Sequence, residues 1–141
     1  MKRFLLQLLT ASAIVFCMAN CGSKGGGGGG GGGGNTEANL VVTLNPPANS
    51  IQPAAPQVDF PLTVSITSAM PSQGVTIDVK VAQDGQTTPF FTETRSSTAA
   101  NNNFTITGTP VGTVCVTTVV VTSKTKATNT VTLSYRYSRK P

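Results

Sequence analysis

A run of ten consecutive glycines, residues 25–34, divides this 141-residue chain and limits where a core can form. Glycine has no side chain to bury and loses the most backbone freedom on ordering, so the run cannot join a packed interior. Residues 21–39, which contain it, read as a flexible linker with an end-to-end distance of about 5–6 Å × √n, on the order of 20–25 Å. A phosphate-cradling loop would need a Lys-Ser/Thr ending and a following helix. Here Lys24 precedes the glycines, and no helical pattern follows them. Folding is left to residues 40–141, about 100 residues, enough for one domain with a modest core.

Upstream of the glycines, Lys2 and Arg3 precede a stretch, residues 4–19, that is apolar apart from Gln7 and a few hydroxyls. A bilayer-spanning helix needs about 20 residues, so this stretch is too short. A basic start and a short apolar core read as a secretory signal covering residues 1–20. The segment Met18-Ala19-Asn20-Cys21 resembles the lipobox of bacterial lipoproteins, where a cysteine after small residues becomes the lipid-bearing first residue. The resemblance implies acylation of Cys21, loss of residues 1–20 together with Cys17, and attachment to a membrane through the lipid. Gly22 follows the cysteine where the family uses Asp for inner-membrane retention, which implies the outer membrane. One acyl chain holds only marginally; the three chains that the resemblance implies would make release negligible. An ordinary signal peptide cut nearby would instead leave Cys21 as a thiol.

The remaining chain alternates. Leu62, Val64 and Ile66 share one phase, and Thr63, Ser65 and Thr67 the other. Val75, Ile77, Val79 and Val81 point inward in the same way, against Thr76, Asp78 and Lys80. Period two with β-branched residues predicts strands. Further strands are expected at residues 40–44, 90–95, 104–106, 113–122 and 130–137, with residues 96–103 as a polar loop. Asn45-Pro46-Pro47, the 70–74 segment, Asp84-Gly85 and Gly108-Thr109-Pro110 mark turns. Residues 113–122 are apolar on both phases, which predicts a central strand with neighbours on both sides. Pro53, Pro56 and Pro61 predict an extended approach along a sheet edge. The fold class is all-β.

Seven short strands with turn signals between them suggest a two-sheet Greek-key arrangement. At this level residues 40–141 resemble the immunoglobulin-like and fibronectin type III-like domains of bacterial surface proteins, which implies an immunoglobulin-like β-sandwich. Cys115 has no partner cysteine on the second strand, so the disulfide-free relatives fit better. A jelly roll or small barrel satisfies the same pattern.

Several chemistries lack their residues. The chain has no histidine, so Cys115 has no imidazole to activate it and reads as a core residue. The five acids, Glu37, Asp59, Asp78, Asp84 and Glu93, are scattered and suggest no acid–base pair. No cluster of His and Cys is available for zinc, and no run of acidic oxygens for calcium. No catalytic residue, metal site or cofactor is expected.

Charge is lopsided. The net charge is +5, yet from residue 94 onward six bases stand with no acid: Arg95, Lys124, Lys126, Arg136, Arg139 and Lys140. Such a region reads as solvated turns, or as a patch for anionic glycan or lipopolysaccharide phosphate. In the second case the ligand-binding candidates are Arg136, Arg139 and Lys140. Tyr135 and Tyr137 would join them as stacking rings if the last strand turned its tyrosines outward, and would pack in the core otherwise. Nucleic acid is excluded for an exported chain without aromatic platforms. The sequence therefore predicts a lipid-anchored envelope protein whose domain engages another envelope protein or an anionic glycan.

Overall fold

The computed structural model describes residues 36–141. Cys21, the leader and the glycine run lie outside the described residues. Among the described residues no helix is long and apolar enough to cross a membrane.

Seven strands form: β1 (Val42–Asn45), β2 (Phe60–Ile66), β3 (Val75–Gln83), β4 (Phe91–Ser97), β5 (Asn101–Ile106), β6 (Val114–Ser123) and β7 (Thr130–Ser138). They make two antiparallel sheets, one ordered β1-β2-β5 and the other β4-β3-β6-β7. The alternation read from the sequence drives this. Leu62, Val64 and Ile66 of β2, Val75, Ile77, Val79 and Val81 of β3, and Cys115, Val119 and Val121 of β6 all enter one buried cluster. Both sheets therefore contribute their inner faces to one core. Cys115 is fully buried within it as a free thiol.

The central position expected for residues 113–122 holds, since β6 pairs with both β3 and β7. Its second apolar phase is not buried on a second face. Val116 and Val120 are half-buried on the outer surface, and Val114 is exposed.

The polar loop expected at residues 96–103 is corrected. Ser96 and Ser97 finish β4, and Asn101, Asn102 and Asn103 begin β5, leaving residues 98–100 to connect them. Polar side chains fit a strand there because they serve the solvent face. Ser65 Oγ donates to Asn101 Oδ1 at 2.8 Å, and Thr63 Oγ1 to Asn103 Oδ1 at 2.9 Å. Asn102 points inward and its Nδ2 satisfies Ala99 O at 2.9 Å.

The two flanks between the sheets are closed differently. On one, the proline-rich segment runs parallel to β7, bridging Ile51 to Arg136 and Ala55 to Arg139. Gln52 N donates to Arg136 O at 2.8 Å, and Arg136 N to Ser50 O at 2.9 Å. Pro53 lies in this edge segment, as expected, and the segment occupies the outer backbone of β7. Pro61 instead falls inside β2, the middle strand of the three-stranded sheet, opposite Thr105. On the other flank, the Arg95 guanidinium stacks over the Phe104 ring at 4.3 Å and donates to Asn103 O at 2.9 Å.

At one end of the domain, Asn129 fastens the incoming chain to the β6–β7 turn. Leu40 N donates to Asn129 Oδ1, and Asn129 Nδ2 donates to Ala38 O, each at 2.9 Å. Asn129 Nδ2 also donates to Glu37 Oε1, and Ser123 Oγ to Glu37 Oε2. Ordered contacts thus begin at Glu37, within the stretch read as linker. Gly74, at the same end, has φ +76°, and a Cβ there would lie 2.3 Å from Ser97 O, so only glycine fits.

Two predictions follow from burial. Asn129→Ala leaves Leu40 N and Ala38 O without their side-chain partner, and should destabilise the domain by about 1–3 kcal/mol in urea titration. Hydrogen exchange should accelerate at residues 37–41 first. Thr117 stands opposite Tyr135 on the inner face, and their two buried hydroxyls meet without a well-formed hydrogen bond among the described residues. Replacing Thr117 with Val removes one unsatisfied group and should raise stability, by about 1 kcal/mol, in the same titration.

Candidate functional site

Strand direction gives the domain two distinct poles. Val75, Ser123 and Thr130 lie at the Asn129 end, while Gln83, Cys115 and Ser138 lie at the other. The nine residues of β3 separate them by about 26 Å, at roughly 3.3 Å per residue.

The distal pole carries a cleft of about 400 Å³, of mixed polar and apolar lining, on the outer face of the four-stranded sheet. Its floor is Val116 and Thr118 of β6, flanked by Lys80 of β3 and Arg136 of β7. Gln83, the last residue of β3, and Asp84 and Gln86 of the β3–β4 turn close its end. Register explains the meeting. Lys80 stands opposite Thr118, and Ala82 opposite Val116, which stands opposite Arg136. Two strand spacings and one two-residue step put the Lys80 and Arg136 Cα atoms about 12 Å apart. Arg136 Nε donates to Asp84 Oδ2 at 3.3 Å, with both side chains about half exposed. Such a pair is weak and easily opened. The cleft offers two cations, one of them paired with the Asp84 carboxylate, together with amides and hydroxyls.

The predicted residues separate. Arg136 lines the cleft. Arg139 turns toward the loop after β5, where its Nη1 donates to Thr109 O at 3.4 Å, and Lys140 is exposed beyond it. Neither lines the cleft. Tyr135 and Tyr137 take the core alternative and are excluded as stacking rings: each is 2% exposed. Tyr137 packs on Phe60 with ring centroids 4.5 Å apart, and its hydroxyl meets Thr109 Oγ1 at 2.9 Å. The physical reason is phase. Both tyrosines share the inner face of β7, and the parallel proline segment covers its edge. With Phe60, Pro46, Pro53 and Pro61 they line a half-open pocket of about 140 Å³ beneath the proline segment instead. Lys80, Gln83 and Gln86 escaped sequence reasoning. The outward phase of Lys80 was legible, but its alignment with Arg136 depends on pairing two strands distant in sequence.

Burial raises the pKa of three inner groups and so keeps them protonated. The Cys115 thiol and the Tyr135 phenol are both pushed up by desolvation. Tyr137 is pushed up further, by burial first, against the lowering effect of its Thr109 hydrogen bond. A thiol raised in this way is a poor nucleophile. Among the described residues no group of three potential metal ligands forms.

No protein-family model, curated protein or solved structure matches this chain.

The raised phenols and thiol set the sign of an alkaline effect. The unfolded chain loses these protons near their ordinary values, about 8.5 for Cys and 10 for Tyr, while the folded chain keeps them. Stability should therefore hold at neutral pH and fall progressively above about pH 9. Tyr137→Phe should flatten that fall, read as the denaturation midpoint against pH.

Proposed function

We propose that this chain is a lipid-anchored cell-envelope protein, held through Cys21 in the outer membrane, whose domain is an immunoglobulin-like β-sandwich. The domain acts as a non-catalytic interaction module. The observation that carries the reading is the separation of its two poles. The chain enters beside Glu37 and Asn129, and the cleft with Arg136 lies a strand length away. An anchor upstream of residue 36 pulls on one pole and leaves the other open to a partner. The lipobox-like Met18-Ala19-Asn20-Cys21 and the glycine linker supply that anchor and its reach. The strand order supports the sandwich assignment, because the connections β2–β3, β4–β5 and β5–β6 each pass between sheets, as in a Greek key.

A second reading, an anionic glycan or lipopolysaccharide phosphate as ligand, is favoured by Lys80 and Arg136 across the cleft floor. It rests on charge and hydroxyls without the two tyrosines. Reversing Lys80 and Arg136 to Glu together should abolish retention on immobilised lipopolysaccharide; undiminished retention rejects this second reading.

The anchor has its own test. Cys21→Ser should move the protein from the membrane fraction to the soluble envelope fraction. A variant that stays with the membranes contradicts lipid attachment at Cys21.

A further inference from the structure

The remaining open edge of the four-stranded sheet is β4. It pairs only with β3, and among the described residues no backbone group meets its outer side. The inner phase of β4 carries Phe91, Glu93, Arg95 and Ser97, and the outer phase Thr92, Thr94 and Ser96. Glu93 and Arg95 are an odd pair for an inner phase. They bridge each other along the strand, with side chains 35% and 42% exposed.

We propose that β4 pairs antiparallel with β4 of a second copy of this chain, about a two-fold axis at Thr94. The strand is self-complementary in that register. Thr94 is the midpoint of the seven residues Phe91–Ser97, so both strands overlap along their whole length. Glu93 of each copy then stands opposite Arg95 of the other. Thr92 stands opposite Ser96, and Phe91 opposite Ser97. Moving the axis to Thr92 or Ser96 sets Phe91 against Glu93 or Arg95 against Ser97 and leaves residues overhanging, and an axis at Glu93 or Arg95 puts like charges face to face. A one-residue slip also exchanges the phases. Full overlap and charge matching thus select the same register.

The charges also select the partner. Inward-pointing charges on an edge strand oppose pairing with most other strands, and a foreign strand adds no opposite charge to the Glu93–Arg95 bridge. A second β4 supplies each charge with its opposite. Opposed charge pairs and Thr–Thr or Thr–Ser pairs are the stabilising cross-strand contacts, and the two-fold axis doubles each one. The outer surfaces join as a hydroxyl-bearing face, since Thr92, Thr94 and Ser96 stand opposite Lys80, Asp78 and Thr76 in each copy. The cleft lies across the sheet toward β6 and β7, so pairing at β4 leaves it open.

The test uses the full chain in its own membranes. Under mild oxidation, Thr94→Cys should give a crosslinked dimer on a non-reducing gel, well above the unsubstituted chain. Directly opposed residues lie within disulfide reach. Thr92→Cys, offset from its own copy by four residues or about 13 Å, should not. Charge exchange is the second arm, read by sedimentation of detergent-extracted protein. Glu93→Arg and Arg95→Glu should each weaken self-association by about tenfold or more, and mixing the two variants should restore a dimer. Both substitutions sit on a part-exposed pair, and thermal unfolding confirms that each variant remains folded. Equal crosslinking at positions 92 and 94, or variants that associate no better mixed than alone, overturns the proposal.

Discussion

The dry contact between two faces of β-branched side chains is what the rest of this structure depends on. Val64, Val75, Ile77, Val79 and Val81 are all buried completely, and Cys115 lies among them without a disulfide. Among the described residues no disulfide ties one sheet to the other. Each valine is stiff about χ1 and fits a pleated surface, so the same residues that favour strands also fill the space between them. The aromatic end of the core adds shape. Phe60, Tyr135 and Tyr137 meet where the proline segment crosses, and the Tyr137 hydroxyl finds Thr109.

That core directs chemistry outward. With the inner faces committed to packing, recognition is left to the turns, the outer faces and the strand edges. Each of these has a distinct arrangement. The outer edge of β7 is occupied by residues 49–55, which removes it as a site for strand addition. The outer face carries threonines and serines with Lys80 and Arg136 at one end. The β4 edge carries one acid and one base two residues apart. The entry clamp at Asn129 then sets which pole follows the membrane, in the reading proposed above. These features are local, but the sheet order brings them into relation.

Much of this was legible in the sequence, and the limits have physical causes. Strands β2, β3, β6 and β7 were readable because hydrophobic residues alternate in phase with a pleat. The start of β5 was not, because Asn101, Asn102 and Asn103 carry no hydrophobic signal, and their place depends on hydroxyls from β2. The inward turn of Tyr135 and Tyr137 was implied by their shared phase with Val131 and Leu133. Whether that phase faced the core depended on which edge the proline segment would cover. The cleft was the least legible feature. Lys80 and Arg136 are 56 positions apart by number, and only the β3-β6-β7 order unites them. Asn129 gave no sequence signal beyond a turn residue, since its role is to bond chain that arrives from the opposite end of the sequence.

The account joins a self-supporting β domain to a lipid at a single cysteine, and the mass of the chain extracted from membranes addresses that union most directly. The account predicts a polypeptide that begins at Cys21 and carries the added mass of acyl chains on its first residue. A chain recovered with an unmodified Cys21 thiol, or cleaved at another position, would contradict it.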